Sequence, residues 1–204
     1  MSVERPVVLI HSYLTDRGGK DSPDRLTRAC LVAATELKRR NEIGKVVITV
    51  TGDLARPMVR HLNQIGDFDQ EDIIIRSKTA TTDEEVKTFR QITRGLESKS
   101  LKTIAIGVHI PRIKNSIARH FGEDQNVSVV SAESVLSQNP RFRDVLAEMK
   151  NWPELASLKK QEAFFQKVSS VPLLGNLITN ILPRVVPDKI KVALQLFLFR
   201  LLER

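Results

Sequence analysis

The chain has 204 residues, enough for one domain with a real core and too few for two ordinary ones unless the second is an appendage. A composition of 41% hydrophobic and 27% charged residues excludes wholesale disorder, and a net charge of +8 directs attention to anionic partners. Nucleic acid is disfavoured among them because aromatics make up only 5%, and the single cysteine, Cys30, excludes an intrachain disulfide or a thiolate metal cluster.

The opening, MSVERPVVLI, enters an apolar run almost at once and carries Glu4 and Arg5. It has neither a long h-region nor a small-residue cleavage site, so a cytoplasmic location is expected. Short β-branched runs then alternate with helical patterns. VVLIH (7–11) is followed by a helix over 22–40, KVVITVT (45–51) by one over 55–66, and DIII (72–75) by one over 82–96. KTIAIGV (102–108) leads into a helix over 111–121, and VSVVS (127–131) closes the series. The runs are continuously apolar, as strands covered on both faces of a parallel sheet should be. Right-handed crossovers then predict an α/β, Rossmann-like three-layer sandwich with a mainly parallel sheet. Ser22, Pro23 and Asp24 mark one helix start, and Thr82 with Glu85 three residues on reads as a capping box.

After Ala132 only helical patterns follow, so the chain reads as a Rossmann-like domain over 1–135 and a helical extension over 136–204. Residues 151–204 hold eight Lys/Arg against four Asp/Glu, half of the whole excess. The uncharged stretch 168–183 is interrupted by Pro172, Gly175, Asn176 and Asn180 and falls short of the roughly 20 apolar residues that span a bilayer. The final segment, 187–204, is apolar over most of a helical circumference, more than one packed face requires. It is expected to lie on its own domain, in a homodimer, on a partner helix or on an anionic lipid surface, which would place the protein at the inner face of a membrane.

Phosphate-loop, dinucleotide, nucleophile-elbow and H-E-x-x-H signatures are absent, and the carboxylates and histidines do not suggest a dedicated metal site. RGGK (17–20) reads as a surface turn. In a parallel α/β sheet ligands sit at the carboxyl ends of the strands, which selects the loops 11–22, 51–55, 76–82 and 108–111. Arg112 opens a helix there, where its guanidinium can clamp a phosphate or carboxylate while free amides and the helix dipole add to the preference for negative charge. Thr79, Thr81 and Thr82 supply hydroxyls beside a second helix N-terminus, and Arg25 and Arg28 reach over from the first helix. His109 is the candidate general acid or base, since an imidazole of ordinary pKa, about 6.5, titrates near working pH. His11 ends the neighbouring strand as a candidate ligand contact, and Asp53, in the turn TGD, could bind a ribose or a metal or serve only as a turn aspartate. His61 and His120 lie within helices as packing or surface residues.

The same segments resemble the YdcF/SanA/ElyC-like family of Rossmann-like proteins over residues 7–133. HIPRI (109–113) is similar to that family's H-M-P-R-A after the fourth strand, and TATTDEE (79–85) to its S-x-N-T-x-E-N, with Thr82 and Glu84 in register. SPDRLTRA (22–29) resembles the first-helix entry, and TGD (51–53) takes the place of an S-G-G turn. The hydroxyl pair before the family histidine is Ala105 and Ile106 here, and two asparagines are replaced by Thr81 and Glu85. His109, Arg112 and the Thr79–Thr82 loop point to a phosphate-bearing or nucleotide-like ligand, and the resemblance implies S-adenosylmethionine as a candidate and a link to cell-envelope or lipid-carrier metabolism.

Overall fold

VVLI and VVITV carry no polar position in alternation because both faces of the strands they form are covered. In the computed structural model they are β1 (Val7–Ile10) and β2 (Val46–Val50), joined by β3 (Ile73–Ser77), β4 (Leu101–Ala105) and β5 (Val127–Ser131). The structure describes residues 5–13, 23–50, 54–66, 68–77, 79, 81–96, 100–122, 127–152, 155–156, 158–160, 162–163 and 166. The five strands form one all-parallel sheet in the order β3-β2-β1-β4-β5, with Ile10 opposite Ile48 on one side and Ile104 on the other. This is the Rossmann-like three-layer sandwich expected.

The helices are α1 (Arg25–Arg39), α2 (Ala55–Ile65), α3 (Thr82–Thr93), α4 (Ile110–Phe121), α5 (Ala132–Leu136) and α6 (Arg143–Lys150). On one face of the sheet, Val7, Leu9, Val47, Leu101 and Ala105 pack with Val86 and Phe89 of α3 and Ile113, Ile117 and Phe121 of α4. The Phe89 and Phe121 rings are tilted, with centroids 6.1 Å apart, a favourable aromatic arrangement. The alternate side chains, Val8, Ile10, Val46 and Ile48, are also fully buried and point to the opposite face. There α1 packs with α2, α5 and α6.

Local chemistry fixes the helix ends. Asp24 is the N-cap of α1, its Oδ1 accepting from the Leu26 and Thr27 amides at 2.9 and 3.0 Å. Ser22 lies outside the described residues. At α3 the predicted capping box is replaced: Thr81 is the N-cap, its hydroxyl accepting from the Glu84 amide at 3.2 Å, while the Glu85 carboxylate leaves the cap for a buried histidine. Gly122 ends α4 at φ 73°, a left-handed conformation that glycine adopts without a Cβ penalty.

The chain divides into two compact units, Met1–Trp152 and Pro153–Arg204. The first holds the sheet, α1 to α6 and every site residue described below. In the second, residues 155–156, 158–160, 162–163 and 166 are helical. The segment 187–204, expected to dock on a surface or a partner, lies outside the described residues. Among the described residues no helix is long and apolar enough to cross a membrane.

Candidate functional site at the strand ends

β1 runs on towards α1 on one face of the sheet, whereas the neighbouring β4 leads into α4 on the other. Adjacent strands whose helices part to opposite faces leave a crevice at their carboxyl ends, the usual ligand position in this architecture. Residues 11–13 follow β1, and a short 3-10 turn, Gly107–His109, follows β4.

His11 is fully buried, and its amide donates to Ile104 O at 3.1 Å, extending the β1–β4 ladder by one residue. Its Nδ1 lies 2.7 Å from Glu85 Oε2, and the Ser12 hydroxyl donates to Glu85 Oε1 at 3.2 Å. Both oxygens of a buried carboxylate on the first turn of α3 are thereby engaged from the end of β1. A carboxylate can only accept, so the Nδ1 that meets it carries the proton, and in the neutral ring Nε2 holds the lone pair. That Nε2 is buried and has no hydrogen-bond partner among the described residues.

Tyr13 links the two strand ends. Its hydroxyl accepts from the Ile106 amide at 3.0 Å, and its own amide donates to Thr27 Oγ1 of α1 at 2.8 Å. Its ring lies 5.1 Å, centroid to centroid, from that of His109. Burial pushes the phenol pKa well up, with Cys30 and Glu85 adding to the effect against the Ile106 amide and Arg112. His109 Nε2 meets the Arg112 guanidinium, which also donates to Thr82 Oγ1 at 2.9 Å. Arginine has no acceptor, so His109 accepts at Nε2 and is neutral with its proton on Nδ1. His109, the histidine expected to do acid–base work, meets the arginine in this arrangement.

The 3-10 turn that leads into α4 is satisfied from within. Gly107 N–H donates to the Glu133 carboxylate, both of whose oxygens lie at 2.9 Å. Ser131 Oγ holds Glu133 Oε2 at 2.6 Å, and the His109 amide donates to Ile106 O. An intramolecular carboxylate thus closes the turn that precedes this helix. Carboxylates also converge around the buried Cys30 thiol, whose pKa is pushed well up by burial and then by Glu133, Asp24 and Glu85. Arg112, beside Thr82, brings a positive charge to the same strand ends.

Of the residues expected from the sequence, the structure joins His109, Arg112 and Thr82 directly, and sets His11 against Glu85, one helical turn beyond Thr82. Thr79 is buried, its hydroxyl without a hydrogen-bond partner among the described residues, whereas Thr81 serves as the α3 cap. Arg25 and Arg28 face Glu148 of α6 at 3.4 and 3.8 Å and are not joined to this cluster. Asp53 lies outside the described residues. Sequence reasoning passed over Tyr13, Glu85 as a histidine partner, and Glu133. Tyr13 carried a signal, being the only tyrosine and lying just past a strand. Among the described residues no group of three or more His, Cys, Asp or Glu could hold a metal ion.

No family model matches the chain, and no curated protein or solved structure matches it.

Proposed function

We propose that the chain binds a small phosphate-bearing or nucleotide-like molecule at the carboxyl ends of β1 and β4. The observation that carries this reading is the Arg112 guanidinium held between Thr82 Oγ1 and His109 Nε2 at the mouth of the strand crevice. Thr82 and His109 orient the guanidinium at the strand ends, where its planar fork suits a phosphate oxygen. The buried Thr79 hydroxyl, lacking a partner among the described residues, is a second polar group for the same anion. Glu85 and Glu133, at the same strand ends, repel further negative charge. The ligand therefore presents one phosphate to Arg112 and no second one deeper in.

Thermal unfolding with inorganic phosphate, AMP, ATP and S-adenosylmethionine is the experiment. Phosphate and AMP raise Tm, by the equivalent of about 2.7 kcal/mol at 100 times the dissociation constant, and ATP raises it less than AMP. Arg112→Ala abolishes the response. An equal response from the wild type and Arg112→Ala rules out the site, and a stronger response to ATP rules out the single-phosphate geometry.

A further inference from the structure

His11 and Glu85 do not themselves hold an anion at Arg112, and they form a buried polar pair at this edge. The imidazole is fully buried, its Nδ1 is fixed by Glu85 Oε2 at 2.7 Å, and Ser12 holds the other carboxylate oxygen at 3.2 Å. A carboxylate behind Nδ1 orients the ring, selects the Nδ1–H tautomer and stabilises the imidazolium that forms when Nε2 takes a proton. Nε2 is the atom left over, buried and without a hydrogen-bond partner among the described residues. A ring nitrogen in that condition is matched to a group that the described residues do not supply. His109 cannot serve in the same way, because its Nε2 already accepts from Arg112.

The dyad and the anion corner share one helix face. Thr82, which receives Arg112, and Glu85, which receives His11, are three residues apart on α3, so their Cβ atoms are about 5–6 Å apart. A phosphate held at Arg112 is thus within a small molecule's length of the imidazole.

We infer that His11 is the proton-transfer residue of a phosphate-ester-hydrolysing site, with Glu85 positioning it. The inference rests on the reading above, that Arg112 takes the ester's phosphate. Nε2 removes one proton from a water as the water oxygen bonds to phosphorus. The ester P–O bond breaks, and the proton passes from the imidazolium to the departing alkoxide, leaving an alcohol and, from a monoester, inorganic phosphate or, from a diester, a phosphate monoester. Nothing is oxidised or reduced.

The experiment uses the full chain with p-nitrophenyl phosphate and bis(p-nitrophenyl) phosphate as probe substrates, and inorganic phosphate binding followed separately by calorimetry. The wild type releases p-nitrophenol from at least one probe. His11→Gln lowers kcat by about 100-fold or more while the phosphate dissociation constant and KM stay within twofold. Glu85→Gln lowers kcat in the same pattern with KM kept, which a merely structural role for the carboxylate would not produce. Circular dichroism and Tm confirm that each variant folds, and if His11→Gln does not, His11→Asn replaces it. Wild-type protein that binds phosphate through Arg112 but turns over neither probe overturns this inference and leaves the binding reading intact. Turnover that survives both histidine variants overturns it as well, whereas loss of phosphate binding by the wild type removes the reading beneath it.

Discussion

Both carboxylate oxygens of Glu133 lie 2.9 Å from the Gly107 amide, so the turn after β4 is closed by a side chain delivered from just beyond β5. The contact ties two neighbouring strand ends together. Glu133→Ala leaves the Gly107 N–H without this partner and costs about 1–2 kcal/mol in urea denaturation. It also tightens phosphate binding, because it removes a competing negative charge. Unchanged stability together with weaker phosphate binding would show that Glu133 serves the ligand rather than the fold.

Tyr13 is the single tyrosine of the chain, so its ionisation can be followed at 295 nm without interference from another phenol. Because burial pushes its pKa well up, the phenol stays protonated in the native protein above the ordinary value of about 10. Its titration coincides with alkaline unfolding, seen by circular dichroism on the same sample. Ionisation at an ordinary pH with structure intact would contradict the buried Tyr13–Ile106 contact. Tyr13→Phe deprives the Ile106 amide of its acceptor and costs about 1–3 kcal/mol.

Cys30 offers an independent measure of the same interior. Its thiol is buried, and both desolvation and the surrounding carboxylates disfavour the thiolate that reacts with a disulfide reagent. Native protein reacts with Ellman's reagent only as fast as it opens, whereas urea-unfolded protein reacts at once. Rapid stoichiometric labelling of the folded chain would place Cys30 elsewhere.

Between α3 and α4, Asp83 accepts from Ser116 Oγ at 2.8 Å and from Arg119 at 2.9 Å, and His120 Nε2 stands 3.0 Å away. Burial raises the Asp83 pKa, but the His120 contact, the Ser116 hydroxyl and the charges of His120 and Arg119 outweigh it and hold the carboxyl below its usual value. A folded-state pKa lower than the unfolded one gives stability that is present above the unfolded value, about 3.9, and is lost as pH falls through the folded one. Asp83→Asn is therefore destabilised by about 1 kcal/mol at neutral pH, and its deficit shrinks in acid below pH 4. A deficit that persists unchanged in acid would assign the effect to packing.

The fold was legible because its signals are local. Continuous apolar runs such as VVITV and the 3.6-residue pattern of TDEEVKTFRQIT each report on a single element, and their alternation implies crossovers and a parallel sheet. The positions of His109 and Arg112 at one strand end followed from the same logic. What could not be read was which side chains meet across the sheet. Glu85 looked like a capping residue because capping is a three-residue relationship, whereas its actual partner is 74 positions away in sequence. The same applies to Glu133, which meets Gly107 across 26 positions, and to Arg25 and Arg28, whose partner Glu148 lies on a helix that only the folded chain brings to α1. Local patterns announce elements, and pairings of buried polar groups depend on register and crossover geometry that no short window contains.

The most direct measurement of the central claim is amide chemical-shift mapping of the 15N-labelled full chain during titration with AMP. The account predicts saturable shifts at His11, Ser12, Tyr13, Thr79, Thr82, Gly107 and Arg112, all at the carboxyl ends of the strands. Shifts confined to the opposite edge, around Gly44 and Ser100, or no shifts at saturating AMP, would contradict it.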